Sequence, residues 1–290
     1  MRDVNPSPSG GGSKSLSGGR VRPTTLTAAT TLLAAVSDTP RLDAELLLAH
    51  ALGVTREQLL LGPYRDPPEG YQPLLARRLA GEPLAYITGT RAFWTIDLEV
   101  GPGVLIPRPD SETLLDAAVT HFRGTPGPAR ILDLGTGPGT LLLAALDQWP
   151  NATGLGIDAS DAALAFARRN AARLGLAGRA TLSSGDWALG IDERFDLILC
   201  NPPYVATGAQ LGPGVREHEP HEALFAGDDG LDDLRRLAVQ LPPLLARGGL
   251  AAIEIGADQA RSASALFTGV RTGLAHDLAG RPRALLLTCV

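Results

Sequence analysis

Asn201-Pro202-Pro203-Tyr204 is the segment of this 290-residue chain best equipped for chemistry. It follows the apolar run Phe195–Cys200, which places it at the carboxyl end of a strand, where open α/β sheets hold their ligands. The Asn201 side-chain oxygen and the Pro202 carbonyl can accept the two N–H hydrogens of a planar amide or aromatic amine, whose nitrogen lone pair is otherwise delocalised. The prolines hold that carbonyl rigidly, and Tyr204 can pack on a flat substrate group. Such a site works through positioning and electrostatics and needs no strong base.

A second constellation lies upstream. Ile131-Leu132-Asp133-Leu134 leads into Gly135-Thr136-Gly137-Pro138-Gly139 and then a helical stretch from Thr140 to Leu146. Glycines at such a turn let a ligand approach the backbone at a helix N-terminus. The next strand ends at Asp158, where a carboxylate can accept both ribose hydroxyls of an adenosyl cofactor. The strand after that ends in Gly185-Asp186-Trp187, a carboxylate and an aromatic face for an adenine. Thr136 and Pro138 depart from a dinucleotide fingerprint, and no Gly-Lys-Ser/Thr follows for phosphates. Together the turn, Asp158 and Asp186-Trp187 resemble the class I S-adenosylmethionine-dependent methyltransferases over residues 107–290. In that setting Asn201 and Pro202 would direct a substrate nitrogen lone pair at the sulfonium methyl, so Asn201 would face cofactor and substrate alike.

Further segments narrow the resemblance. Asn-Pro-Pro-Tyr looks like the amino-group methyltransferases that act on adenine, guanine or glutamine. Leu105-Ile106-Pro107-Arg108-Pro109-Asp110-Ser111-Glu112, Gly81 to Ile87 with Phe93-Trp94, and Glu219-Pro220 to Ala223-Leu224 resemble the PrmC/HemK family over about residues 25–290. The resemblance implies methylation of the side-chain amide (N5) of the glutamine in the Gly-Gly-Gln motif of peptide chain release factors. It implies a cofactor loop at Gly135, Thr136, Gly137, Pro138 and Gly139, a ribose acid at Asp158, and an adenine-side residue at Trp187. The substrate clamp falls on Asn201, Pro202, Pro203 and Tyr204. Arg108 and Pro109 would line the cofactor entrance, and Phe93 would help enclose it. Pro138 stands where relatives often carry Ala or a small polar residue, and a proline early in a helix loses no needed N–H.

These residues need a frame. Leu26, Leu32, Leu33 and Val36, then Leu42, Leu46 and Leu47, recur at helical spacing up to Gly53. Thr55 and Gln58 form a capping-box signature for a third helix ending near Gly62, and Tyr71–Leu79 reads as a fourth. Residues 92–106 alternate on either side of Gly101-Pro102-Gly103 and predict a hairpin turning there. Apolar runs at Arg130–Leu134, Gly154–Asp158, Ala180–Ser183, Phe195–Cys200 and Leu250–Ile255 alternate with helix-length segments. They predict an α/β fold, a doubly wound, mostly parallel sheet. The family resemblance implies seven strands, with a late antiparallel one near Ala284–Thr288. The expected organisation is a disordered tail (1–22), a helical substrate-docking domain (23–89), a linker hairpin (90–106) and the methyltransferase domain (107–290).

Composition bounds the rest. The formal charge of −5 and isoelectric point near 5.6 disfavour a protein that grips a phosphate backbone by charge. An adenine-N6 nucleic-acid methyltransferase is therefore a distant alternative, and a ribosomal-protein glutamine methyltransferase a nearer one. A cofactor-binding adaptor without catalysis is a third, against which the intact Asn-Pro-Pro-Tyr argues. No apolar stretch approaches the roughly 20 residues of a membrane span, and no signal-peptide core is visible. Two cysteines, Cys200 and Cys289, fit a reducing cytoplasm, and a monomer is expected. Glu217-His218-Glu219-Pro220-His221-Glu222 superficially suggests a metal site, but Pro220 stops one helix from presenting both histidines, and no metal is expected.

Overall fold

The computed structural model describes residues 26–62 and 67–289; the tail of residues 1–22 lies outside them. The chain separates into two compact units, one up to Pro73 and one from Leu74. In the first, α1 (Leu26–Leu33) packs on α2 (Pro40–Leu52), and α3 (Arg56–Leu61) follows. The expected capping box is present, with Thr55 accepting from the Gln58 N–H and Gln58 accepting from the Thr55 N–H. Glu45, buried in α2, accepts from both Arg41 and Arg56, so its charge is compensated where it lies. α4 (Tyr71–Leu79) crosses the division between the units.

The second unit opens with α5 (Leu84–Thr88), a helix that sequence periodicity misses because Pro83 and Gly89 leave only five residues between them. The hairpin that follows is β1 (Thr90–Phe93) and β2 (Ile96–Glu99), and it turns at Trp94-Thr95 rather than at Gly101–Gly103. Trp94 takes a left-handed backbone, φ +54°, a strained state for a bulky residue. Three anchors hold it: the Trp94 N–H to Glu112, its indole to Gln148, and the Thr95 hydroxyl to Asp147. None of these tertiary bonds is visible in local alternation.

Beyond the hairpin come α6 (Glu112–His121), β3 (Arg130–Leu134), α7 (Thr140–Gln148), β4 (Thr153–Asp158), α8 (Asp161–Arg173), β5 (Ala180–Ser184) and β6 (Phe195–Cys200). Then follow α9 (Val215–His218), α10 (Asp232–Gln240), β7 (Leu245–Glu254), α11 (Ala260–Leu266), β8 (Arg271–His276) and β9 (Pro282–Thr288). The seven strands run in the order β5-β4-β3-β6-β7-β9-β8; β9 is antiparallel to both neighbours and the remaining pairs are parallel. β8 escaped the sequence reading because it is an edge strand with an almost wholly exposed Arg-Thr-Gly-Leu-Ala-His run.

Strand alternation divides the core between the two sheet faces. Ile131, Leu197, Leu199, Leu250 and Ala252 join one cluster with α6, α7 and the hairpin. Leu132, Ile198, Cys200, Ala251 and Ile253 join the other with α10 and α11. Cys200 thus packs in the interior. Leu142 on α7 is fully buried over two strand glycines, where a Cβ at Gly154 would lie 2.4 Å from its Cδ1 and one at Gly156 2.9 Å from its Cδ2. Truncating Leu142 to Ala leaves a void the glycines cannot fill. A loss of about 2–5 kcal/mol is expected in urea unfolding.

Candidate active site

The winding of the sheet reverses between β3 and β6, since β3 leads outward to β4 and β5 while β6 leads the other way to β7. Ligands bind outside the carboxyl ends of strands at such a reversal. The register pairs Leu134 with Cys200, so Gly135 and Asn201, one residue further on, stand side by side at the crevice. Gly135 has φ +69°, and a Cβ there would come within 3.3 Å of the Trp187 ring and 3.8 Å of the Asn201 carbonyl oxygen. Only a residue without a side chain fits.

A cavity of about 250 Å³ opens over this turn, lined by Gly135, Gly137, Asp158, Asp186, Trp187 and Asn201 among others. Asp158 ends β4 and accepts the Gly137 N–H at 2.7 Å and the Ser160 N–H at 2.8 Å. Burial raises its pKa, and those two N–H groups oppose the rise. Remaining lone pairs are open to a diol. Trp187 sits at φ +52° with its indole N–H held by Asp233 at 3.0 Å, which fixes the ring plane against the cavity. Asp186 is ion-paired with Arg236 on α10. Asp233 and Arg236 also line the cavity and went unread in the sequence, where helix residues so far downstream carry no motif.

Two smaller recesses adjoin it. One, of about 40 Å³, is lined by Arg108, Asp133, Thr136, Pro138 and Asn201. Asp133 is buried, and one carboxylate oxygen accepts from the Thr136 hydroxyl at 2.7 Å and the Leu142 N–H at 3.1 Å. Its other oxygen has no hydrogen-bond partner, and burial lifts its pKa to about 7. The other recess, of about 50 Å³, is lined by Leu105, Arg108, Asn201, Tyr204, Val205, Ala223, Leu224 and Glu254. Leu105 and Asn201 line all three spaces.

Around Asn201 the polar contacts are few and directional. Its Nδ2 donates to the Ser111 hydroxyl at 3.2 Å, Ser111 donates to Glu254, and the Tyr204 hydroxyl donates to the other Glu254 oxygen at 3.1 Å. Burial raises the pKa of Glu254 to about 7 and pushes the Tyr204 phenol up. The Tyr204 carbonyl accepts from Gln259 at 3.0 Å, and Gly230, φ +71°, lets the chain pass so near that a Cβ would stand 2.3 Å from that carbonyl oxygen. Among the described residues, Asn201 Oδ1 and the Pro202 carbonyl accept no hydrogen bond from the protein.

Of the other expected positions, Thr136, Pro138 and Arg108 line the recess beside Asp133, while Gly139, Phe93 and Pro109 reach none of the three spaces. Pro138 lies in the turn before α7, with its carbonyl accepting from Asn170, and does not begin the helix. The Thr136 side chain points inward to Asp133. Gly139 lines none of the three spaces; its φ of +89° and the 2.7 Å that a Cβ would leave to Leu143 Cδ1 both call for glycine there. Phe93 is buried in the hairpin core, away from the cavity. Arg108 borders the two recesses and not the large cavity, and Pro109 is exposed. Glu219, from the acidic His-rich segment, is buried and accepts from the Ile106 N–H at 3.0 Å and from Arg108. It stitches the segment bearing Leu105 to the wall of the site, a task that a sequence motif alone does not disclose.

Known proteins resemble this chain in sequence and in fold. Residues 24–89 match the family model for the PrmC N-terminal domain, and residues 128–226 match a methyltransferase domain. The Caulobacter vibrioides release factor glutamine methyltransferase is 45% identical over 261 residues, 86% of this chain and 89% of the relative. The chain belongs to the release factor glutamine methyltransferase family. A second member, from Mycolicibacterium smegmatis, is 41% identical over 278 residues, 93% of this chain and 98% of its own length. Among solved structures, the hMettl16 catalytic domain in complex with the MAT2A 3'UTR hairpin 1 shares the fold, with TM-score 0.51, 17% identity, and coverage of 67% of this chain and 75% of that one. The protein is a methyltransferase whose methyl donor is S-adenosylmethionine.

The cavity suits that donor: an acid at the end of β4 for a diol, a fixed indole beside it, and an orphaned buried carboxylate oxygen in the adjoining recess for a cationic group. Hydrogen bonds to an ionised acceptor contribute about 1.5–3 kcal/mol. Asp158→Ala is accordingly expected to weaken S-adenosylhomocysteine binding about 10- to 100-fold by titration calorimetry; unchanged affinity would remove Asp158 from the ribose role.

Proposed function

We propose that the protein methylates the side-chain amide nitrogen of the glutamine in the Gly-Gly-Gln motif of peptide chain release factors. The carrying observation is the position of Asn201, with its unclaimed Oδ1 next to the unclaimed Pro202 carbonyl, at the junction of the large cavity and the two recesses. Two adjacent acceptors with no protein donor match the two hydrogens of a primary amide. S-adenosylmethionine supplies an electrophilic methyl group on a sulfonium sulfur. Gly135, Gly137, Asp158 and Trp187 would hold its adenosyl part, and Asp133 its ammonium.

The residues of the chain do the rest. An amide nitrogen is a poor nucleophile because its lone pair is shared with the carbonyl. Drawing both N–H hydrogens toward Asn201 Oδ1 and the Pro202 carbonyl fixes the nitrogen and aims its lone pair at the large cavity. The acceptors are in place before substrate arrives, so little reorganisation is needed on reaction. Tyr204, Leu105 and Leu224 give the amide a narrow apolar-walled recess that restrains it close to an attack geometry.

The names of the curated relatives support a release factor as substrate over a ribosomal protein. Net acidic charge speaks against a nucleic-acid substrate. In this reading residues 23–89 dock the protein substrate and 90–106 link them to the catalytic domain. The enzyme works as a cytoplasmic monomer, and no helix among the described residues is long and apolar enough to cross a membrane.

Incubation with methyl-labelled S-adenosylmethionine and release factor should label the glutamine of Gly-Gly-Gln, located by mass spectrometry, and leave a Gly-Gly-Ala factor unlabelled. Label on neither would withdraw the substrate. Asn201→Ala should lower kcat about 10²- to 10³-fold, the scale of losing one preorganised polar group, while cofactor affinity stays near wild type.

A further inference from the structure

Ser111 stands at the N-cap position of α6, where a serine hydroxyl ordinarily accepts a backbone N–H of the first turn. Here it caps nothing. Its side chain crosses instead to Glu254 at the end of β7, 143 residues along the chain, and is only 2% exposed. Glu254, fully buried, has its two oxygens divided between the Ser111 and Tyr204 hydroxyls. A carboxylate can only accept, so both hydroxyls must donate to it. Ser111 then has no proton left for Asn201 and offers a lone pair, which only the NH₂ of the Asn201 amide can use.

We propose that Ser111 and Glu254 are positioning residues that lock the Asn201 amide with its oxygen toward the substrate. A flipped Asn201 would set Oδ1 lone pairs against those of Ser111 and turn two N–H donors on a substrate nitrogen that itself has only N–H groups to offer. Glu254 thereby holds both ends of the substrate clamp, Asn201 through Ser111 and Tyr204 directly. The inference rests on the reading of Asn201 as the acceptor of a substrate N–H.

The lock depends on charge. A protonated Glu254 carries an O–H that can donate to one of the hydroxyls, which frees a Ser111 or Tyr204 proton and removes the fixed direction. The groups around it are Arg283 on β9, which favours the carboxylate; Asp110 beside Ser111, which opposes it while pairing with Arg283; Asp277, which also pairs with Arg283; and the Tyr204 phenol and Cys200 thiol, both kept neutral. Burial places the Glu254 titration at about 7. Since the working form is ionised, kcat should rise with pH through the neutral range and level off above it.

The test measures kcat, KM for release factor and S-adenosylhomocysteine affinity from pH 5.5 to 9 for the full-length wild type, Ser111→Ala, Glu254→Gln and Asn201→Ala, with thermal melts of each. Wild type should show the neutral limb. Ser111→Ala should lose about 10- to 100-fold in kcat, the scale of a misplaced reacting group, with KM and cofactor affinity little changed. With S-adenosylmethionine saturating at every pH, so that the Asp133 titration is kept out of kcat, Glu254→Gln should lose a similar factor and give a flat profile across the limb. Wild-type kcat in Ser111→Ala, a wild-type profile without the limb, or the same limb in Glu254→Gln would each overturn the lock. If Glu254→Gln does not fold, Ser111→Ala and the wild-type profile decide. Loss of turnover in Asn201→Ala beside a fully active Ser111→Ala would reject the lock and keep the clamp; an active Asn201→Ala would reject the clamp itself.

Discussion

The pairing of β3 with β6 is the constraint on which the site depends. Both strands are buried on each face, run parallel, and are matched at Leu134 and Cys200. Their connections leave in opposite directions across the sheet, so no crossover covers the space beyond their carboxyl ends. Gly135 and Asn201 meet there because each is the first residue past the paired strands. A shift of one residue would turn Cys200 toward the other core and carry Asn201 away from the turn. The apolar content of Ile131–Leu134 and Phe195–Cys200, sorted residue by residue between two cores, is thus what sets Gly135 and Asn201 side by side.

From that junction, charge is handled inside the fold by pairing or by neutralisation. Glu219 is buried but accepts from Arg108 and Ile106, which anchors the segment carrying Leu105. Arg283 is flanked by Asp110 and Asp277. Asp133 and Glu254 lack a full counter-charge, and burial pushes each to about 7. Both border the recesses that meet at Asn201, as expected where titratable groups are held for use and not for stability alone.

The sequence made the sheet and its ligand end legible, because parallel strands buried on both faces must be apolar throughout and glycine turns have few substitutes. The places of Asn201 and Asp158 were readable for the same reason, one directly following and the other ending such a strand; Trp187 lies three residues past the partly exposed β5 and was readable only as an aromatic after Gly185-Asp186. Ser111, Glu254 and Asp233 were not, since their significance lies in what they face across 46 to 143 residues of chain. The hairpin turn was misplaced because Gly101-Pro102-Gly103 is the stronger local breaker, whereas Trp94-Thr95 turns only with three side-chain anchors from α6 and α7 in place. Asp133 did leave a trace, an acid within an otherwise apolar strand. Its partner Thr136 lies close enough to have been considered with it.

The two prolines of Asn-Pro-Pro-Tyr solve a problem beyond stiffness. The segment leaves the sheet at a buried position, where each backbone N–H without a partner costs about 1–3 kcal/mol. Pro202 and Pro203 are both buried and carry no N–H, so the chain crosses this region without donors to satisfy. Beyond Tyr204 the Val205 N–H reaches the Leu224 carbonyl at 3.0 Å, while the Tyr204 carbonyl is met by Gln259. The segment is therefore held without being folded into helix or strand. Among the described residues no protein donor reaches the Pro202 carbonyl. Replacing either proline would add a buried N–H donor that must then find a partner of its own.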